Sequence, residues 1–154
     1  MRPRHRQLLA VISAAILALA VGVAWWATHE EAALPPAARL AGGRALYDEH
    51  CAACHGAKLE GQPDWQRRRA DGRLPAPPHD ASGHTWHHAD ADLFVMTKHG
   101  ITPFAPPGYQ SDMPAFAGTL SDDEIRAVLV YIKSTWPPEI QARQAAIPPR
   151  LGRP

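Results

Sequence analysis

The segment Cys51-Ala52-Ala53-Cys54-His55 holds both cysteines of this 154-residue chain. It constrains the chain more than any other feature. A two-residue gap between cysteines has three common uses. A redox dithiol needs a βαβ context, and no segment here alternates as a strand would. A zinc site needs a second pair of Cys or His ligands, and no further cysteine exists. The remaining use is covalent haem attachment, in which a histidine directly follows the second cysteine. On a helical turn Cys51 and Cys54 face the same side. Each thiol can add across one haem vinyl group, and His55 then presents its imidazole to the iron.

An address precedes this motif. Arg2, Arg4, His5 and Arg6 are followed by an apolar run from Leu8 to Ala27 that carries no charge. About twenty residues at ~1.5 Å rise each match the core of a bilayer. The arginines predict a cytoplasmic N-terminus, and Trp25 and Trp26 fall where an interfacial aromatic belt belongs. The expectation is a single N-terminal span holding the rest of the chain in the periplasm. The competing reading is a cleaved signal peptide with its apolar region at Leu8–Val21 and small residues at Gly22-Val23-Ala24. Both readings export residues 30–154. Residues 1–29 carry three arginines and no acid, so the net charge of +1 hides an exported part at −2. That balance excludes a strongly basic nucleic-acid binder.

The expected organisation is an anchor or signal segment at 1–29, a linker at 30–38 stiffened by Pro35-Pro36, a domain at 39–136, and a Pro-rich basic tail at 137–154. The tail is expected to be mobile, with a short helical turn around Glu139–Ala145. Three helices are predicted in the domain. The first covers about Ala38–Cys51, with Leu40, Gly43, Leu46 and Tyr47 on one face. The second covers Asp90–His99, with Asp90 as N-cap and Gly100 as terminator. The third runs from Ser121 to about Thr135. It opens on a capping box of Ser121 and Glu124, carries Ile125, Val128, Leu129 and Ile132 as its apolar stripe, and stops at Pro137-Pro138. The fold class is all-α with long loops. Few large aliphatics lie between Gly56 and Asp92, so something other than side chains must fill part of the core.

Residues 39–136 resemble the small single-haem cytochrome c family. The resemblance is carried by Gly43 and Tyr47 before the haem motif, Gly56 after it, Met113-Pro114-Ala115-Phe116, and the closing helix from Leu120-Ser121-Asp122-Asp123-Glu124 to Tyr131-Ile132. It implies a first and last helix crossing at Gly43, with Tyr47 and Tyr131 around the crossing. It also implies one covalent haem c on Cys51 and Cys54, with His55 and Met113 as axial iron ligands. Proline after Met113 keeps that residue out of helical conformation, which suits a ligand offered from an extended loop. Met96, mid-helix among apolar residues, reads as core. A thioether favours ferrous iron and raises the potential. Two filled axial positions leave no site for substrate, so the expected activity is electron transfer between redox partners, a membrane respiratory complex among them. The family supports the iron-bound histidine by a backbone carbonyl from a proline-containing loop. Pro75, Pro77 and Pro78 are the candidates.

Three charged or histidine-rich segments need separate readings. His79, His84, His87 and His88, with Trp86 among them, read as a loop beside the haem edge or, alternatively, as imidazole ligands of copper or zinc. Lys58, Arg67, Arg68, Arg69 and Arg73, interleaved with Pro63 and Trp65, read as a docking surface for an acidic partner or as a solvated loop. Asp122, Asp123 and Glu124 suit the positive end of a helix. Alternative functions are a haem sensor or peroxidase-like enzyme with a displaceable sixth ligand, and a metal-handling protein using the histidine loop.

Overall fold

The first helix, α1 (Pro36–His50), buries Gly43 and Tyr47 and half-buries Leu40 and Leu46, while its other side faces water. The computed structural model describes residues 36–150 together with residues 12–13 and 16–23. Past α1 come α2 (Ala52–His55), α3 (Asp90–His99), α4 (Asp122–Ser134) and α5 (Pro138–Ala145), with 3₁₀ turns at Thr85–His87 and Thr102–Phe104. Among the described residues there is no strand.

The chain divides at Pro36 into two units. In the first, residues 12–13 and 16–23 are helical, and Ile16, Leu17, Leu19, Val21 and Val23 are exposed. The rest of the run from Leu8 to Ala27, Trp25 and Trp26 included, lies outside the described residues. Among the described residues no helix is long and apolar enough to cross a membrane.

In the second unit α1 crosses α4 at Gly43. A methyl group at Gly43 would overlap the Ala127 carbonyl and press on Tyr131 Cβ, so only glycine permits this approach. Tyr47 and Tyr131 meet beside it with ring centroids 5.5 Å apart. The crossing implied by the resemblance is present. Its physical basis is the missing side chain, which lets two backbones come close enough for the tyrosines to seal the gap.

Helix α4 begins as its sequence predicts. Ser121 accepts from the Glu124 N–H, the Glu124 carboxylate accepts from the Ser121 N–H, and two otherwise orphaned donors are satisfied. Ile125, Val128 and Ile132 are buried along its stripe. Helix α3 keeps its expected span, but Asp90 does not cap it. Ala89 occupies the N-cap without a side-chain bond. The Asp90 carboxylate is drawn instead to Lys133 Nζ of α4 at 2.6 and 2.7 Å and to Gln144 Nε2 of α5 at 2.7 Å. At the other end Lys98 Nζ meets Asp122 at 2.6 Å. The two ion pairs sit at opposite ends and fix α3 and α4 antiparallel.

The helical turn expected around Glu139–Ala145 is present as α5, and the tail that carries it is anchored to the histidine loop. Gln144 is 1% exposed and donates to the His88 carbonyl at 3.0 Å. The Arg150 N–H donates to both Asp92 oxygens at 3.0 Å. Trp136, buried just before α5, donates its indole N–H to the His79 carbonyl at 2.8 Å. Side-chain amides and an indole hold the segment to the histidine loop, a bond pattern that proline-rich composition does not reveal.

Gly43→Ala is expected to lower stability by about 1–3 kcal/mol through overpacking at the crossing. Gly42→Ala, where nothing lies within 4 Å, is expected to raise it by roughly 0.5–1 kcal/mol. Denaturant unfolding of the haem-loaded protein measures both. Equal responses at the two positions would contradict the crossing.

Candidate functional site

The Cys51–His55 motif is the continuation of α1. Cys51 N–H donates to the Tyr47 carbonyl at 2.8 Å, and His55 N–H donates to the Cys51 carbonyl at 2.9 Å. Tyr47 reaches over the turn, and its hydroxyl donates to the Gly56 carbonyl at 2.9 Å. Burial drives the Tyr47 phenol well above its usual pKa, so it remains a donor. Neither cysteine is in a disulfide; Cys51 is half-buried and Cys54 exposed. Burial, with Cys54 beside it, pushes the Cys51 thiol up to about 11.

His55 is 8% exposed, and its Nδ1 lies 2.8 Å from the Pro77 carbonyl. Of Pro75, Pro77 and Pro78, the structure selects Pro77. A carbonyl only accepts, so Nδ1 carries the proton. Burial lowers the His55 pKa against the opposing pull of that bond, so the ring is neutral and Nε2 keeps its lone pair. The loop comes this close because the backbone pairs twice, Gly61 N–H to the His55 carbonyl at 2.7 Å and Gln62 N–H to the Ala76 carbonyl at 2.8 Å. Gly61, at φ +69°, lies so near Pro77-Pro78 that a side chain would not fit.

His79 is a site residue whose role the sequence did not reveal. Its ring stacks on His55 at 3.9 Å between centroids with 21° between planes. Its Nδ1 lies 2.8 Å from Thr85 Oγ1, and burial lowers its pKa far below the usual value. Its position two residues past Pro77 is the signal that could have found it. The same loop that offers the carbonyl also brings this ring.

Met113 lies in irregular chain, half-buried against Phe116, Leu120 and Ile125. Cys51 and Ala52 belong to the other side-chain cluster, around Tyr47, Leu59, Val128, Ile132 and Trp136. Leu46 touches both. The core is thus divided, with the cysteine motif on one part and the thioether on the other. Two thiols, an imidazole with an open Nε2 and a half-buried thioether make a donor set that fits a covalently held haem. Met96 is half-buried within α3, as a core residue would be.

The histidine loop does not assemble as a metal site. His84 stacks on Trp65, His87 stacks on Trp86, and His88 meets His84 edge-on. Among the described residues no three His, Cys, Asp or Glu side chains are placed to hold a metal ion. His84 and His87 thus turn to separate tryptophans. Trp86 packs against the Tyr47 cluster under the Arg143 guanidinium. Arg67, Arg68 and Arg69 line a surface pocket with Gln62, Asp64 and Pro75. Asp122 and Glu124 are held in the Lys98 pair and the capping box, so that acidic run is structural.

Residues 40–136 match the family Cytochrome c. A curated relative, the Cbb3-type cytochrome c oxidase subunit CcoP of Azospirillum sp. (strain B510), is 32% identical over 102 residues, covering 62% of this chain and 30% of the relative. The chain therefore spans under a third of that protein's length. No solved structure matches.

Two outcomes follow from the site geometry. Tyr47→Phe leaves the Gly56 carbonyl without its partner and is expected to cost about 0.5–1.5 kcal/mol in an unfolding measurement. Burial lowers the His88 pKa, opposed by Asp92 and reinforced by His87 and Arg150. The unfolded chain takes up that proton near the ordinary histidine value of about 6.5 and the folded chain does not, so stability declines as pH falls through it. In His88→Gln the decline between neutral and mildly acid pH is expected to be shallower. An unchanged slope would show that His88 is not among the groups responsible.

Proposed function

The chain belongs to the cytochrome c family, and on that premise we propose that it carries one electron at a time between protein partners at the periplasmic face of a bacterial membrane. Haem c is the family's covalently bound cofactor, and when bound it supplies a one-electron Fe(III)/Fe(II) couple. In this chain Cys51 and Cys54 hold the porphyrin, and His55 and Met113 are the axial ligands. The observation that carries this reading is the 2.8 Å bond from His55 to the Pro77 carbonyl. It spends Nδ1, leaves Nε2 for the iron and fixes the plane of the ring.

The remaining residues do the work of a carrier. Burial of His55 and half-burial of Met113 keep water from the ligand atoms. The thioether favours the ferrous state and raises the potential. With His55 and Met113 both given to the iron, the protein acts as a carrier rather than a catalyst.

The first unit bears on the location. Its exposed apolar helical residues and the charge-free run from Leu8 to Ala27 support a membrane tether. A tether raises the local concentration of the domain at membrane partners. The relative's name, a subunit of a cbb3-type oxidase, supports a respiratory complex as one partner. Signal-peptide cleavage would instead release a soluble periplasmic carrier, and N-terminal sequencing of the mature protein separates the two.

Optical spectra of the purified domain test the ligand set. The wild type is expected to show covalent haem, the weak long-wavelength charge-transfer band of a methionine–iron bond when oxidised, and no rapid carbon monoxide binding when reduced. Met113→Ala is expected to lose the band and bind carbon monoxide. A spectrum indifferent to Met113, or high-spin in the wild type, would replace the carrier reading with a haem sensor or peroxidase-like enzyme.

A further inference from the structure

Asp112 immediately precedes Met113, and two arginines from a distant segment grip it. Arg73 Nη1 lies 2.6 Å from Asp112 Oδ1, and Arg69 Nη1 lies 3.3 Å from Oδ2. Arg73 Nε also reaches Gln110 Oε1 at 3.4 Å. The other end of the Arg69 guanidinium donates to Gln62 Oε1 at 2.6 Å. That oxygen accepts from the Ala76 N–H at 3.0 Å. Ala76 adjoins Pro77, whose carbonyl holds His55. A continuous set of polar contacts thus runs from the residue before Met113 to the support of His55.

The two sides of Met113 are secured differently. Beyond it, Phe116 and Ala117 donate backbone N–H groups to the Thr97 and Lys98 carbonyls of α3 at 3.2 and 2.9 Å. Before it, residues 106–112 are irregular, and side chains tie them to the arginine segment: Arg69 and Arg73 on Asp112, and Arg68 over the Tyr109 ring at 5.5 Å. Asp112, Arg69 and Arg73 are 45, 43 and 41% exposed in their side chains. Water and salt reach these pairs, so their strength depends on ionic strength.

We propose that Asp112, clasped by Arg69 and Arg73, is a positioning residue for Met113: the clasp holds the loop closed and keeps the sixth iron position shut to outside ligands. The inference rests on Met113 as axial ligand. When the clasp opens, the segment before Met113 loses its ion pairs while the α3 contacts beyond it persist. The thioether then swings away more often, which would leave the position opposite His55 open to a small neutral ligand. This assigns part of the arginine cluster to the ligand loop, and Arg67 is left on the surface pocket.

Imidazole binding to the oxidised haem-loaded protein, followed by absorbance, tests the clasp. Asp112→Asn keeps the shape and removes the charge. It is expected to raise imidazole affinity about three- to ten-fold. High salt is expected to raise wild-type affinity toward that of the variant and to change the variant little. Asp123→Asn, with the same charge change on α4, is expected to match wild type. Arg69→Gln combined with Arg73→Gln is expected to open the site as Asp112→Asn does, and adding Asp112→Asn to them to gain little more. A merely structural role would lower the unfolding midpoint without this salt-dependent exchange. If Met113→Ala binds imidazole readily while Asp112→Asn behaves as wild type, the clasp is overturned and the axial assignment stands. If Met113→Ala leaves imidazole binding unchanged, the axial assignment falls and the clasp falls with it.

Discussion

The hydrogen bond from His55 Nδ1 to the Pro77 carbonyl is the constraint around which this domain is built. One atom pair at 2.8 Å sets the tautomer, the ring plane and the nitrogen that keeps its lone pair. It also brings two stretches together that are far apart in sequence, the end of the first helical segment and a proline-rich loop. Everything near it serves that approach. Gly61 clears the space, Gln62 pairs with Ala76 on both backbone atoms' sides, and His79 follows the loop in to stack on the ligand ring.

A second set of contacts turns the histidine loop into a rigid wall. The carbonyls of His79 and His88 accept from Trp136 and Gln144, both near or on α5. Asp90, released from a capping role, gathers Lys133 and Gln144 into one cluster. A segment rich in proline and histidine has little apolar material of its own, and the C-terminal helix supplies what it lacks. The loop that backs His55 therefore depends on residues more than fifty positions later in the chain.

Legibility in the sequence followed the range of the interactions. The capping box at Ser121 and Glu124 and the apolar stripe of α4 are local, and both stand in the structure as read. Gly43 and the two tyrosines were legible through the resemblance, because a close helix crossing leaves a glycine as its trace. Asp90 was misread because a competing cation and amide, reached only in the folded chain, outbid the helix N-terminus for its carboxylate. The helical turn of the tail was legible but its docking was not, for a related reason: burial of Gln144 comes from partners on another segment, not from its own hydropathy. His79 looked like one of several surface histidines until the loop folded under His55.

The order Cys51, Cys54, His55 by itself determined the cofactor chemistry, because thiol spacing on one helical turn and an adjacent imidazole are properties of a few consecutive residues. The helical class and the family were likewise written in local pattern and short motifs. Which proline carbonyl holds the ligand, which ring stacks on it, and which charges close the loop before Met113 were decided by the tertiary structure alone. Each joins residues separated by tens of positions. Their geometry exists only once Gly43 lets α1 meet α4 and the long loops are drawn together between them.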